Sequence, residues 1–271
     1  MDGMLNMKEI ARDMNILFMT LDSLRYDAAA SLFLENRTPN FRRYMPEGWQ
    51  RCSTPGSFTY AAHHAFFAGF LPTPATPEKT PRMFAARFAG SETTGEKTLV
   101  FETADIVSGF AEQGFKTVCI GGVGFFNKQT ALGCVLPSLF QESYWDRSYG
   151  VTDPASTRNQ FEKAATVISE CAGQQLFLFI NVSAIHQPNY FYHTNEQTTD
   201  TIASHQAALA YVDSQLPILM DALASQDRDT FCIICSDHGT AYGEEGYYGH
   251  RIGHPSVWEV PMASFVLKKK A

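Results

Sequence analysis

Two patterns alternate along the chain. Nearly unbroken apolar runs of strand length occur at Asn15-Ile16-Leu17-Phe18-Met19-Thr20-Leu21, from Lys116 to Ile120, from Leu176 to Val182, at Phe231-Cys232-Ile233-Ile234-Cys235 and from Met262 to Leu267. Between them lie helical patterns. Residues 157–172 mix apolar and polar positions, and after Asp200 the residues Leu209, Val212, Leu216, Leu219 and Leu223 recur at steps of three and four, an amphipathic stripe. Pro217 lies within that stripe and is expected to kink or restart the helix. Strands alternating with helices predict a three-layer α/β/α sandwich with a mainly parallel central sheet. No Gly/Ser/Pro linker divides the pattern, so residues 1–271 read as one domain. The irregular stretches 71–98 and 121–156 are expected to wall a pocket.

Composition narrows the class. With 45% hydrophobic and 18% charged residues in 271, the chain can bury a sizeable core. Its formal charge of −7 argues against a nucleic-acid partner, because a phosphate backbone needs clustered Lys and Arg. The run Lys268-Lys269-Lys270 reads as a solvated tail. No signal peptide and no apolar segment of roughly 18 residues is evident, so no membrane contact and a cytoplasmic location are expected. The six cysteines are scattered, several within apolar strands, as expected of reduced, buried thiols. Cys232 and Cys235 have redox spacing, but an extended strand points them to opposite faces.

Two of the apolar runs stop at chemistry. The first ends at Asp22-Ser23 and the fourth at Ser236-Asp237-His238-Gly239. Open α/β sheets place ligands just past the carboxyl ends of their strands, and an Asp-His pair there offers a hard oxygen and a nitrogen to a divalent cation. A strand ending in a plain Asx-turn would read the same way. A third candidate is Thr59, which follows the turn formers Pro55-Gly56 and opens an Ala- and Phe-rich segment of helical length. A hydroxyl at a helix N-terminus sits among unpaired N–H groups and can hold an anionic ester, although a simple N-cap would look alike. His63 lies one turn further along the same face.

Taken together, these stretches resemble the sulfatase branch of the alkaline phosphatase superfamily. Thr59, His63, Gly69 and Pro72 match the spacing of its nucleophile helix, and Leu21-Asp22-Ser23 its first metal-binding strand end. Ser236-Asp237-His238-Gly239, with Gly249-His250 beyond it, matches the second. His186 before Pro188 resembles a substrate-binding histidine, and Ala210-Tyr211-Val212-Asp213 the helix that precedes the Asp-His strand. Ser57 and Thr54 do not fit the ten-residue step to glycine.

The resemblance implies one divalent ion (Mn²⁺, Zn²⁺ or Mg²⁺, with Ca²⁺ an alternative) on Asp22, Thr59, Asp237 and His238. His193 or His254 are the candidates for a second site. It also implies Thr59 as nucleophile, His186 and His250 as catalytic and substrate-binding groups, and His63 as a substrate contact. True sulfatases carry a Cys, rarely a Ser, that becomes formylglycine, and Thr59 departs from that. A threonine is what the family's phosphodiesterases and phosphotransferases use, among them lipoteichoic acid synthases and lipid A phosphoethanolamine transferases, whose transmembrane helices have no counterpart here. The chain also ends where larger sulfatases continue into a C-terminal subdomain.

The implied activity is hydrolysis of a small-molecule phosphate ester (phosphodiester, phosphonate ester or monoester) through a phosphothreonine. Transfer to another acceptor, or a non-catalytic module that retains the metal, are the alternatives, and the oligomeric state stays open. Of the remaining residues, His64 is expected to be structural, His205 an exposed helix residue, and Arg25 with Asp27 a structural pair. One of Glu244 and Glu245 is expected to bond a neighbouring backbone or ligand, and Gly121-Gly122-Val123-Gly124 to form a pocket-side turn next to Phe125, Phe126 and Asn127.

Overall fold

A computed structural model of the chain describes residues 6–70, 82–84, 98–100, 104–194 and 198–270. The first half contains α1 (Met7–Asp13), β1 (Asn15–Leu21), α2 (Tyr26–Leu34), α3 (Pro39–Tyr44), β2 (Gln50–Ser53), α4 (Thr59–Ala68), β3 (Arg82–Phe84), β4 (Thr98–Val100), α5 (Ile106–Glu112), β5 (Lys116–Ile120) and α6 (Ala131–Val135). The second contains β6 (Glu142–Tyr144), α7 (Ser156–Glu170), β7 (Leu176–Val182), α8 (Ile202–Ala224), β8 (Thr230–Cys235), β9 (Ala241–Tyr242), β10 (Tyr248–Gly249), α9 (Pro255–Trp258) and β11 (Glu259–Leu267). Most of the stretch 71–98 lies outside the described residues.

Seven strands form the central sheet in the order β2-β11-β8-β1-β7-β5-β6. The inner strands pair in parallel, while β11 runs antiparallel to both β8 and β2. The pleat divides each inner strand between two cores. Leu17, Met19 and Leu21 of β1, Leu178 and Ile180 of β7, and Cys232 and Ile234 of β8 pack beneath α2, α3, α7 and α8. Ile16, Phe177, Phe179 and Phe231 face the opposite layer with Phe67, Phe110 and Phe126. This is the three-layer sandwich, and all six cysteines in it are free thiols.

Helix α8 differs from expectation twice. It runs unbroken through Pro217. Proline has no N–H to give the carbonyl four residues earlier, and that carbonyl, of Asp213, accepts instead from Asn40 Nδ2 at 3.0 Å. The Asp213 carboxylate in turn accepts from Asn40 N (3.2 Å) and Phe41 N (2.7 Å), capping α3 from a different helix.

The second difference is His205, which is buried rather than exposed. It lies four residues before Leu209, on the stripe that faces the core. Its Nε2 accepts from Arg25 N at 3.4 Å and its Nδ1 meets the Tyr242 hydroxyl at 3.0 Å, so it ties α8 to two loops of the sheet's carboxyl edge. Burial, aided by Arg25, lowers its pKa to about 3. Unfolded histidine takes a proton below ~6.5 and the folded residue does not. The stabilisation is therefore complete above that pH and lost as pH falls, by about 2 kcal/mol at pH 5. Thermal unfolding between pH 7.5 and 5 should fall more steeply for the wild type than for His205→Gln, and equal slopes would contradict this.

Candidate metal centre and cavity

The register of the sheet assembles the site. Thr20 of β1 pairs with Cys235 of β8, so Asp22 and Asp237, each two residues beyond its pair member, leave neighbouring strands side by side. On the other flank Thr20 pairs with Asn181 of β7. Asn181 Nδ2 donates to Asp22 Oδ2 (3.1 Å) and to Thr20 Oγ1 (3.3 Å), and Asn181 Oδ1 accepts from Val123 N (3.1 Å). Asn181 thereby orients a carboxylate and fixes the loop after β5. The signal available was an amide among the apolar residues of a central strand.

Thr59 opens α4, and the turn before it packs closely on that helix. A Cβ at Gly56 would lie 2.6 Å from Ala62 N. Thr59 Oγ1 comes 3.3 Å from Asp22 Oδ2 and 3.3 Å from His238 Nε2. His238 Nδ1 donates to the Gly239 carbonyl at 2.8 Å, which leaves the Nε2 lone pair facing the Thr59 hydroxyl, 3.6 Å from Asp237 Oδ2 and 3.9 Å from Asp22 Oδ1. Gly239 permits the close approach of α9, for a Cβ there would meet the Ser256 carbonyl oxygen at 2.0 Å. Asp237 Oδ1 accepts from Ser23 N (3.2 Å) and His238 N (3.0 Å), whereas its buried Oδ2 has no partner.

Burial together with the neighbouring Asp22 raises the Asp237 pKa well above the usual carboxylate range. Burial also opposes the charge on Asp22, but His186, His238 and the Asn181 amide outweigh it and hold its carboxyl low. Burial lowers the pKa of His238. Two buried acids, one with an orphaned oxygen, beside a histidine whose Nε2 carries no proton form a set that lacks a positive charge. Their ligand atoms lie within 4.8 Å of one another, and this is the one such group among the described residues. With the Thr59 oxygen the donors would be three oxygens and one nitrogen, which fits Mn²⁺, Zn²⁺ or Mg²⁺ better than a soft metal.

A cavity of about 310 Å³ opens above Thr59. His186 and His250 line it with Thr59, their rings 5.8 Å apart, and the His250 ring stands 4.7 Å from that of His238. His186 Nδ1 donates to the Gln187 carbonyl (2.5 Å), so Nε2 accepts when the ring is neutral and donates only from the imidazolium. Burial, His238 and His186 lower the His250 pKa to about 4, so this ring is neutral at pH 7 and donates as an ordinary N–H. The Arg251 N–H bonds the Ser57 carbonyl at 2.9 Å and so holds the His250 loop beside Thr59. Of the pocket-side turn, Val123, Gly124 and Phe125 line the cavity, whereas Phe126 is buried in the core.

Three expectations change. His63 does not line the cavity: it is fully buried, with Nδ1 donating to the Thr59 carbonyl (2.7 Å), Nε2 accepting from Thr20 Oγ1 (3.0 Å), and Phe66, Phe67, Phe126 and Phe179 around it. It supports Thr59 from below and is not placed to touch substrate. His193 is exposed, and His254 caps α9 by accepting from Ser256 N (3.2 Å), so neither joins the acid cluster. Arg25 bonds Asp27 (2.9 Å) as expected but also bonds Glu244, bracing the loop that leads to His250. Glu244 further accepts from Tyr242 N at 2.6 Å.

No curated protein matches the chain. Among solved structures it is similar to the C-terminal periplasmic domain of EcEptC from Escherichia coli in complex with Zn, with TM-score 0.62 and 12% identity over 95% of this chain and 74% of that one. The lipoteichoic acid synthase LtaP from Listeria monocytogenes gives TM-score 0.64 and 12% identity over 95% and 66%. The putative sulfatase yidJ from Bacteroides fragilis gives TM-score 0.62 and 17% identity over 93% and 68%. These likenesses are of fold. The family model Sulfatase matches residues 14–263. The chain belongs to the sulfatase family of the alkaline phosphatase superfamily, whose members are metal-dependent hydrolases or transferases of phosphate and sulfate esters.

Proposed function

We propose that the protein hydrolyses phosphate esters by a metal-dependent double displacement through a phosphothreonine at Thr59. The observation that carries this reading is the position of Thr59 Oγ1, 3.3 Å from both Asp22 Oδ2 and His238 Nε2 at the floor of the cavity that His186 and His250 line.

A divalent cation held by Asp22, Asp237, His238 and the Thr59 oxygen would acidify that hydroxyl and offset charge on the phosphoryl oxygens. Thr59 Oγ1 gives up its proton to solvent water and forms a bond to phosphorus as the bond to the departing alcohol breaks. The N-terminus of α4, the positive end of its dipole, starts at Thr59 and would help to stabilise charge on the same oxygens. His250 donates an N–H to a non-bridging oxygen. His186, as imidazolium, protonates the departing alkoxide through Nε2. Water then attacks phosphorus from the opposite side and gives a proton to the now neutral His186 Nε2, the threonine P–O bond breaks, and Thr59 Oγ1 takes a proton back from solvent.

The test is turnover of aryl phosphate diesters, monoesters, phosphonate esters and an aryl sulfate by protein reloaded with Mn²⁺, Zn²⁺ or Mg²⁺. Phosphorus esters are expected to lead sulfate by roughly tenfold or more. A preference for sulfate would overturn the reaction class. A second reading, transfer to an acceptor other than water, draws support from the likeness to a lipoteichoic acid synthase. Product analysis with an alcohol present separates the two.

A further inference from the structure

The cavity beside Thr59 is polar at its floor and apolar above it. Thr59, Thr130, His186 and His250 supply the polar atoms, and the other lining residues are Val123, Gly124, Phe125, Leu132, Gly133 and Val151. Among the described residues no Lys, Arg, Asp or Glu lines it. An ammonium or carboxylate on the substrate would lose its hydration against the Val123, Phe125, Leu132 and Val151 side chains, and no acidic group among the described lining residues would pair with an ammonium. An alkyl or aryl group would exchange water for the Phe125, Leu132 and Val151 side chains. Size agrees: an apolar void of ~150 Å³ admits a benzene ring, and this cavity of about 310 Å³ has room for a ring beside the phosphoryl group.

We propose that the wall formed by Val123, Phe125, Leu132 and Val151 receives an uncharged, apolar organic group of the ester, an alkyl chain or an aryl ring, and selects against substrates charged at that position. This rests on the phosphoester reading of Thr59. Gly124 and Leu132 are the residues through which that selectivity can be altered. A Cβ at Gly124 meets nothing within 4 Å, so a larger side chain there narrows the cavity without displacing backbone. Leu132 is half-buried in the wall, where a carboxylate would supply the missing counter-charge.

The experiment uses the metal-loaded protein with the 4-nitrophenyl esters of methyl-, propyl-, phenyl- and 2-aminoethylphosphonic acid, the last close in size to propyl but cationic. For the wild type, kcat/KM should rise about fourfold per added methylene from methyl to propyl. Propyl should exceed aminoethyl by tenfold or more. Leu132→Glu should shrink or reverse the propyl-to-aminoethyl ratio, and Gly124→Leu should lower the phenyl-to-methyl ratio by about tenfold. Calorimetry with the methyl esters of propyl- and 2-aminoethylphosphonic acid gives the same comparison without turnover. Aminoethyl equal to or better than propyl in either measurement, or ratios unmoved by both substitutions, overturns the apolar wall. Turnover that survives Thr59→Ala overturns the phosphothreonine instead, and the calorimetric order still decides the wall.

Discussion

Thr59→Ala is expected to lower phosphoester turnover by ~10³-fold or more while leaving the metal content unchanged. The size follows from removing a nucleophile whose partners act as one unit, so that the remaining groups recover little of the rate. Metal content is expected to survive because Asp22, Asp237 and His238 converge within 4.8 Å without the threonine. Thr59→Ser keeps a hydroxyl at the start of α4 and should retain most of the activity lost by the alanine variant. Stability is a useful control. Thr59 is buried, but its backbone carbonyl, the part that His63 Nδ1 bonds at 2.7 Å, is present in all three proteins. Equal rates for wild type and Thr59→Ala would remove the nucleophile assignment.

The second large effect is one of sign. Asp237→Asn should weaken metal binding at least ~100-fold, yet raise the stability of the metal-free protein by about 1–3 kcal/mol. The two bonds made by Asp237 Oδ1, from Ser23 N and His238 N, can be kept by an amide oxygen. The orphaned Oδ2 becomes an NH₂ that faces the His238 Nε2 lone pair, 3.6 Å away. In the wild type, burial and Asp22 raise the folded pKa of Asp237 above that of the unfolded chain. The group's contribution is therefore present in acid and lost as pH rises through the folded value. Metal reverses the ordering, since a ligand at a thousand times its Kd adds ~4 kcal/mol to the state that binds it. Melting curves in chelator and in saturating metal test this. A variant that melts below wild type in chelator would show that the orphaned oxygen is not a source of strain.

Much of the frame was legible because burial on both faces writes itself as continuous apolar runs. Asn15–Leu21 and Leu176–Val182 were read to the residue, and the acids at Asp22 and Asp237 stood out by ending such runs. Less legible were features that depend on which strand lies beside which. The antiparallel direction of β11 has no local signature, and neither does a carbonyl on α8 being satisfied from α3. The leucine stripe points to His205, one helical turn before Leu209, but a titratable side chain on a helix suggests solvent and hides its place in the core. His63 was misplaced for the converse reason. Sharing a helical face with Thr59 fixes direction from the axis, but it does not reveal that the phenylalanines close over that face one turn later. The cavity wall lies in a stretch with no periodicity, where only packing decides which of Phe125 and Phe126 looks into the pocket.

The side-by-side exit of β1 and β8 has a consequence for biosynthesis. The half of the cation clasp contributed by Asp22 leaves the ribosome early, and the half contributed by Asp237 and His238 follows more than two hundred residues later. A nascent chain that has not yet released β8 holds only one of the three ligand groups that converge in the folded protein. Loading of an ion there would wait for β8 to dock beside β1, so ion uptake would report the pairing of these two strands.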